Sequence, residues 1–328
     1  MRIADIYAAN RAHGRPTISF EFFPPRTPEA EQALFGQALP RLRALRPDFI
    51  SVTYGAGGST RDKTLGIAGR AKHEFGLEAM THLTCVGASY TLLRGVLDEA
   101  RALGLENVLA LRGDPPPGDA EFRPDPDGPA YAHELVRLVR SYECFSVGVA
   151  GFPEGHLACG GDKHADWAYL AQKVEAGAEF VITQLFYDNR DYFAFADYLQ
   201  NHLGVRVPLV PGILPILSTA QIKRFTALCG ARLPAPLVAR LEALGDDDEA
   251  VTQLGIELAT AQCRELLASG APGLHFYTLN RARSVSAILQ NLGLATCRPR
   301  PTARRRPRRP RFDLVPQDTP RAVAPLGG

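Results

Sequence analysis

The sequence predicts an α/β protein, a single-domain (β/α)8 TIM barrel, on three observations. Short β-branched and aromatic runs recur along the chain, each is followed by a longer stretch of helical spacing, and the runs number about eight. Strand and helix in alternation are the mark of βα units around a parallel sheet. Eight units suit a closed cylinder better than an open sheet, and 328 residues leave room for a fold that takes about 250.

In chain order the strand runs are TISFEFF from Thr17, DFISVT from Asp48, EAMTHLTC from Glu78, NVLALR from Asn107, FSVGVAG from Phe145, EFVITQLF from Glu179, VPLVPGI from Val207 and GLHFYTL from Gly273. Between the first two, Thr27-Pro28-Glu29 sets a cap residue, a proline at the first helical position and an early acid. That predicts a helix running to about Ala44. Ser218 and Asp247 can cap later helices. The longest interval, from Ile213 to Gly273, must hold two or three helices and reads as an insertion at the top or side of the barrel. After Leu294 the periodicity stops, which sets the barrel domain at residues 1–294. The Pro/Arg-rich stretch 295–328 has too few large apolar residues to offset the entropy of ordering, so it is expected to be a disordered basic tail.

Charge divides the same way. From Arg298 onward nine arginines stand against two aspartates, so the tail carries +7 and the remainder about −5 of the formal +2. An acidic body has no global attraction for nucleic acid; an Arg-rich tail could grip phosphates, or it is a solvated tail without a ligand. The six cysteines (Cys85, Cys144, Cys159, Cys229, Cys263 and Cys297) form no Cys-x-x-Cys pair or zinc spacing, which fits a reducing cytoplasm. With no signal-like N-terminus and no apolar run of about 18 residues, the chain is expected to be cytoplasmic and outside the membrane.

Chemistry in such barrels sits at the C-terminal ends of the strands. Those ends supply Glu21, Thr53, His82, Arg112 with Asp114, His156, Gln184, and Tyr277 with Asn280 and Arg281. Along the first strand Ser19, Glu21 and Phe23 share one face and Phe20 and Phe22 the other. If the phenylalanines pack on helices, Glu21 points into the barrel mouth, where burial would raise its pKa toward that of a general acid. The alternative is a structural pair with an arginine.

LRGDPPPG, from Leu111, could hold a cofactor through its arginine and backbone, or it is a turn; a cytoplasmic chain argues against integrin adhesion through its RGD. TYGAGGST, from Thr53, can admit a close ligand, but Thr60 stands where a dinucleotide fingerprint needs its last glycine. Gln184 could read a hydrogen-bonding ring edge or be a satisfied core amide. His82 has no second ligand at metal spacing, so no metal is expected. None of the five lysines lies at a predicted strand end, which argues against Schiff-base chemistry.

Together, SFEFFPP, SVTYGAGGS, THLTC, LALRGDPP, AGAEFVITQLFYD, PGILPI and HFYTLNR resemble the methylenetetrahydrofolate reductases in order and approximate spacing, from about Thr17 to Gly293. The resemblance implies an oxidoreductase that reduces 5,10-methylenetetrahydrofolate to 5-methyltetrahydrofolate, feeding one-carbon metabolism and methionine synthesis. It implies FAD as cofactor, NADH or NADPH as electron donor, a ping-pong cycle and a homo-oligomer. By the same resemblance Glu21 is the proton donor to folate, and Asp114 is an aspartate beside flavin and pterin. Gln184, Gln221, Phe225 and Arg281 line the substrate pocket, with Thr53 against the nicotinamide. The FAD surface would comprise Thr53, Tyr54, Ala56, His82, Arg112, Gly113, Asp114, Ala132, Phe152, His156, Asp166, Tyr169 and Lys173. Phe152 stands where tyrosine is common, and Gln172 where a charged residue is. Other readings are a flavin barrel of the proline dehydrogenase kind, which rests on fold alone, and a nucleic-acid-binding protein acting through the basic tail.

Overall fold

The structure is a computed structural model that describes residues 1–54, 61–114 and 122–295, apart from the side chains of residues 61 and 62. Ala56 and the tail from residue 296 lie outside the described residues. Eight strands, β1 (Thr17–Phe22), β2 (Phe49–Val52), β3 (Ala79–Thr84), β4 (Asn107–Leu111), β5 (Ser146–Gly151), β6 (Phe180–Leu185), β7 (Leu209–Ile213) and β8 (Gly273–Tyr277), each fall within a run expected from the sequence. They pair in chain order, all parallel, and β8 closes on β1.

Side-chain alternation divides the apolar residues between two cores. Phe20 and Phe22 of β1, with Ile50 and Val52 of β2, face outward into the large cluster between strands and helices. Phe49, Met80, Leu109, Phe180, Ile182 and Val210 face inward and fill the lower cylinder together with Ile3, Ile6 and Tyr7. These last three come from the helix Ile3–Ala12, whose buried face (Ile3, Ile6, Tyr7, Asn10) has the three-and-four spacing of an amphipathic helix. Its first N–H groups have no cap of their own: Ile3 N donates to Asn107 Oδ1 at 2.7 Å and Ala4 N to Ser146 Oγ at 3.2 Å. Asn107 and Ser146 open β4 and β5, so strand side chains satisfy the helix end and the helix plugs the N-terminal end of the barrel. A ligand must enter from the other end.

The helix expected from Thr27 to Ala44 is divided into Pro28–Ala33, a π-helical turn Leu34–Ala38 and Leu39–Ala44. Thr27 caps it, accepting from Ala30 N at 3.2 Å. Pro40 has no N–H to give the preceding turn, and a widened turn just upstream accommodates the break. The long interval after β7 holds three helices, Thr219–Cys229, Ala235–Leu244 and Asp248–Ala268. Ser218 and Asp247 cap the first and third as expected. Ile222, Leu241 and Val251 of this insertion pack on Leu185, Leu214 and Ile216 at the ends of β6 and β7, so it walls one side of the mouth. No described helix is long and apolar enough to cross a membrane.

The seam between β8 and β1 continues past the last ladder pair, Glu21 with Tyr277. Thr278 Oγ1 donates to Glu21 O at 2.6 Å. The Asn280 amide pairs with the Phe23 backbone, accepting from its N at 2.9 Å and donating to its O at 2.8 Å. Leu279 and Asn280 have φ of 48° and 59°, a conformation asparagine tolerates and leucine does not. The clasp therefore holds a strained turn in place. Asn280→Ala should lower unfolding free energy by about 1–3 kcal/mol, the loss of two half-buried hydrogen bonds; an unchanged denaturation midpoint would refute that role.

Candidate active site

The inward face of β1 continues upward from Ser19 to Glu21, and both are buried, Glu21 with 5% of its surface exposed. Three side chains converge on one oxygen, Glu21 Oε2. Ser51 Oγ donates to it at 3.2 Å and His275 Nε2 lies 3.2 Å away. His82 Nε2 is at 3.4 Å and makes no hydrogen bond among the described residues. Ser51 and Tyr277 are the ladder neighbours of Glu21, and His275 is the neighbour of Ser19. Strand register thus places Ser51 and His275 beside Glu21.

Among the described residues the ion-pair partners of Glu21 are these two imidazoles, so the pairing with arginine weighed from the sequence is not found. The raised pKa expected for Glu21 is overturned as well. Burial pushes the carboxyl up, but the imidazoles of His275 and His82 outweigh it and hold it at about 2.

On the β2–β5 side stand most of the residues assigned to FAD by resemblance. Thr53 closes β2, its N donating to Phe22 O at 2.9 Å and its O accepting from Thr64 Oγ1 at 2.9 Å; half-buried Tyr54 follows and packs on the outer core. His82 is buried on β3. Arg112, Gly113 and Asp114 follow β4, with Asp114 exposed. Gly113 has φ of +84°, and a Cβ there would lie 2.9 Å from Val86 Cγ1, so only glycine makes this turn.

Ala132 opens the helix Ala132–Arg140. Phe152 follows β5, and its carbonyl is pinned by the buried Trp167 Nε1 at 2.9 Å. The Phe152 ring meets His156 edge to face at 4.6 Å. Asp166, Tyr169 and Lys173 share one face of the helix Lys163–Glu175. Asp166 is buried, Lys173 half-buried and Tyr169 exposed at the rim.

The electrostatics of this side follow from burial. Lys173 Nζ donates to Ala150 O at 3.0 Å. Burial pushes its ammonium down to about 8, against the pull of the Asp166 carboxylate. Burial raises Asp166 and lowers His156, the latter aided by the Arg112 charge. Two buried polar atoms on this side, His82 Nε2 and Thr84 Oγ1, make no hydrogen bond among the described residues. Paired cations, these two polar atoms and a side-chain-free turn fit a group that brings both a pyrophosphate and a polar ring edge.

The residues assigned to substrate stand across the mouth on the β6–β8 side. Phe180, Ile182 and Gln184 share the inward face of β6, and the β6–β7 register shifts between Ile182 and Leu185. Thr183 bridges the gap, accepting from Gly212 N at 3.0 Å through its hydroxyl and from Tyr277 Oη at 2.6 Å through its carbonyl. Tyr277 reaches across only because residue 212 is glycine: a Cβ there would collide with Thr183 O and lie 2.6 Å from Tyr277 Oη.

Gln184 Oε1 accepts from Leu185 N at 2.9 Å. Gln221, in the first turn of Thr219–Cys229, accepts from Leu217 N at 3.0 Å, and its buried Nε2 makes no hydrogen bond among the described residues. Phe225 lies one turn further on, half-buried, and Arg281 follows the clasp, exposed. A groove beside the insertion, lined by Tyr187, Leu214, Leu237 and Arg240, lies outside this mouth.

Ser19, Ser51 and His275 were not singled out from the sequence. The signal was present, because Ser19 shares the face of Glu21, and His275 that of Tyr277.

Comparison with known proteins bears on the same surface. A family model described as methylenetetrahydrofolate reductase matches residues 6–293. The chain is 41% identical over 304 residues to methylenetetrahydrofolate reductase (NADH) 1 of Arabidopsis thaliana, an alignment covering 90% of this chain and 51% of that protein. It is 40% identical over 281 residues to 5,10-methylenetetrahydrofolate reductase of Escherichia coli (strain K12), covering 86% and 92%. The chain thus spans about half the length of the plant relative and most of the bacterial one. Among solved structures it resembles an uncharacterized protein from Clostridium thermocellum that binds two copies of 5-methyl-5,6,7,8-tetrahydrofolic acid. The TM-score is 0.60 at 14% identity, covering 88% of this chain and 97% of that one, a likeness of fold alone.

The depressed Glu21 pKa makes a stability prediction. A carboxyl lowered from 4.5 to about 2 contributes stability that is complete above the ordinary value and is lost as pH falls through that window. Glu21→Gln should therefore show a shallower loss of unfolding free energy between those pH values in urea titrations, and parallel curves for the two proteins would sink the assignment.

Proposed function

Because the chain belongs to the methylenetetrahydrofolate reductase family, we propose that it reduces 5,10-methylenetetrahydrofolate to 5-methyltetrahydrofolate, with NADH or NADPH as electron donor and FAD as resident carrier. The observation that carries the reading is a sheltered carboxyl, Glu21, at a barrel mouth whose two sides differ in chemistry. The β2–β5 side offers cations and buried polar atoms that make no hydrogen bond among the described residues. The β6–β8 side offers amides, an aromatic ring and the exposed Arg281 cation.

Lys173 and Arg112 would hold the FAD pyrophosphate, with Asp166 setting the charge of Lys173, while His82 and the Gly113 turn meet the ring. Bound there, FAD supplies the two-electron transfer between nicotinamide and folate that no side chain can perform. Nicotinamide and folate use the same mouth in turn, which is a ping-pong order. Gln184 and Gln221 orient the pterin and Phe225 packs beside it, so that binding replaces the disorder of a free encounter. Glu21, a carboxylate at rest, takes up a proton when folate fills the mouth and passes it to N10, which opens the imidazolidine ring and leaves an electrophilic iminium at N5. Asp114 places a negative charge at the rim beside that developing cation. Arg281, an exposed cation at the far lip, suits a carboxylate tail on the substrate.

Two outcomes test this. Purified protein should be yellow and should bleach with NADH or NADPH, and Glu21→Gln should keep that bleaching while losing about 10²–10⁴-fold in folate reduction. Unchanged folate turnover in the variant, or a colourless protein that takes up no FAD, would overturn the reading. Because the Lys173 charge is lost as pH rises through about 8, FAD affinity should be level below that pH and weaken above it. In Lys173→Met the affinity, followed by flavin fluorescence, should be weaker throughout and lack that step.

A further inference from the structure

Three successive strand-to-helix connections meet at one point on the rim of the mouth. The loop after β5 carries Glu154 between Phe152 and His156, the two rings on the cofactor side. Glu154 Oε2 accepts from Arg232 N at 2.8 Å, and Arg232 lies in the link between the helices Thr219–Cys229 and Ala235–Leu244. The Arg232 guanidinium in turn donates to Asp191 Oδ2 at 2.9 Å, in the first turn of the helix Asn189–Asn201 that follows β6. We propose that Glu154 is a positioning residue for the substrate: through Arg232 it latches the insertion to the cofactor-side loop and so sets the seat of the helix bearing Gln221 and Phe225. The inference rests on the reading of the chain as a folate reductase.

A second contact at the same place supports the latch. Gly230 ends the helix Thr219–Cys229 with φ of +76°, its N donating to Thr226 O at 2.8 Å. A Cβ at residue 230 would lie 2.4 Å from Leu157 Cδ2, so Leu157 of the β5 loop rests directly on this glycine. Glycine serves twice there: it takes the left-handed turn that ends the helix, and it leaves room for the leucine. One polar and one apolar contact therefore tie the same two segments together.

The need for a tie follows from how the helix is otherwise held. Ser218 caps its first turn, accepting from Gln221 N at 3.2 Å, and Ile222 and Phe225 sit on the apolar layer that includes Leu214 and Ile216. Apolar burial resists lifting of the helix but has no preferred direction, so it leaves the sideways position of the last turn open. A hydrogen bond is directional, and the Glu154 bond fixes the chain just beyond that turn. Glu154 Oε1 is buried and makes no hydrogen bond among the described residues, so the hold of this carboxyl on the insertion is the single bond from Arg232 N. Without it, the Phe225 ring and the Gln221 amide sample more positions, and folate must order them as it binds. That cost falls equally on bound substrate and transition state, so it raises KM and leaves kcat alone.

Flavin-loaded wild type, Glu154→Ala and Glu154→Gln separate this role from a merely structural one. In Glu154→Ala the folate KM should rise about 5-fold with kcat and nicotinamide bleaching kept. Backbone hydrogen exchange should quicken over Thr219–Cys229 and stay as it was over β5. Glu154→Gln keeps a carbonyl oxygen to accept from Arg232 N and should restore the wild-type KM. A wild-type KM in Glu154→Ala, or bleaching lost together with folate turnover, would overturn the proposal. Should Glu154→Ala fail to fold, Arg232→Met cuts the tie to Asp191 and leaves the β5 loop intact; it must raise both KM and exchange, and no change in either would equally overturn the latch. Failure of the wild-type protein to reduce methylenetetrahydrofolate would instead sink the functional reading, and the exchange measurement alone would then decide whether Glu154 holds the insertion.

Discussion

A closed parallel ladder leaves its inner side chains no choice of direction, and the rest of this molecule follows from that constraint. Strands alternate in and out, so every inward position must be filled, plugged or made polar at a place where polarity can be satisfied. The lower positions are filled by Phe49, Met80, Phe180 and the helix Ile3–Ala12. The upper positions carry Glu21, Ser51, His82, His275 and Tyr277. Register makes several of them neighbours, so their hydrogen bonds are direct consequences of barrel closure.

The mouth is divided by charge as well as by position. Half-buried Lys173 and buried Asp166 face the β4–β5 loops, where burial disfavours both charged forms. Such a pair is poised for an anion whose charge completes the cationic side. The opposite wall is made of amides and rings, and the insertion after β7 that carries Gln221 and Phe225 is held there by apolar contacts with Leu185, Leu214 and Ile216. Under the proposed function, a carboxyl between two such walls would act on a substrate from one side while the cofactor occupied the other.

Precision at the seam comes from strain held by hydrogen bonds. The turn through Leu279 and Asn280 adopts positive φ at two non-glycine residues, and the Asn280–Phe23 pairing offsets the cost. This links the segment bearing Arg281 to the strand bearing Glu21, so the two ends of a long substrate would meet groups fixed in one frame. The Gly212 opening, which admits Tyr277, serves the same end on the neighbouring strand pair.

The barrel was legible in the sequence because strand and helix periodicities are local, and each of the eight runs contains an observed strand. The inward direction of Glu21 was legible too, from Phe20 and Phe22 on either side. Motif resemblance pointed to the family that the comparisons support. What only the tertiary structure decided was the company each residue keeps. His275 and Ser19 are 256 residues apart and meet only when β8 closes on β1, so the sign of the Glu21 pKa shift could not be read from β1 alone. The same holds for the plug helix, whose end is capped by side chains of β4 and β5, and for the π-helical break forced by Pro40. Sequence fixes which face a side chain takes; the charge and partners it finds there depend on contacts formed by closure.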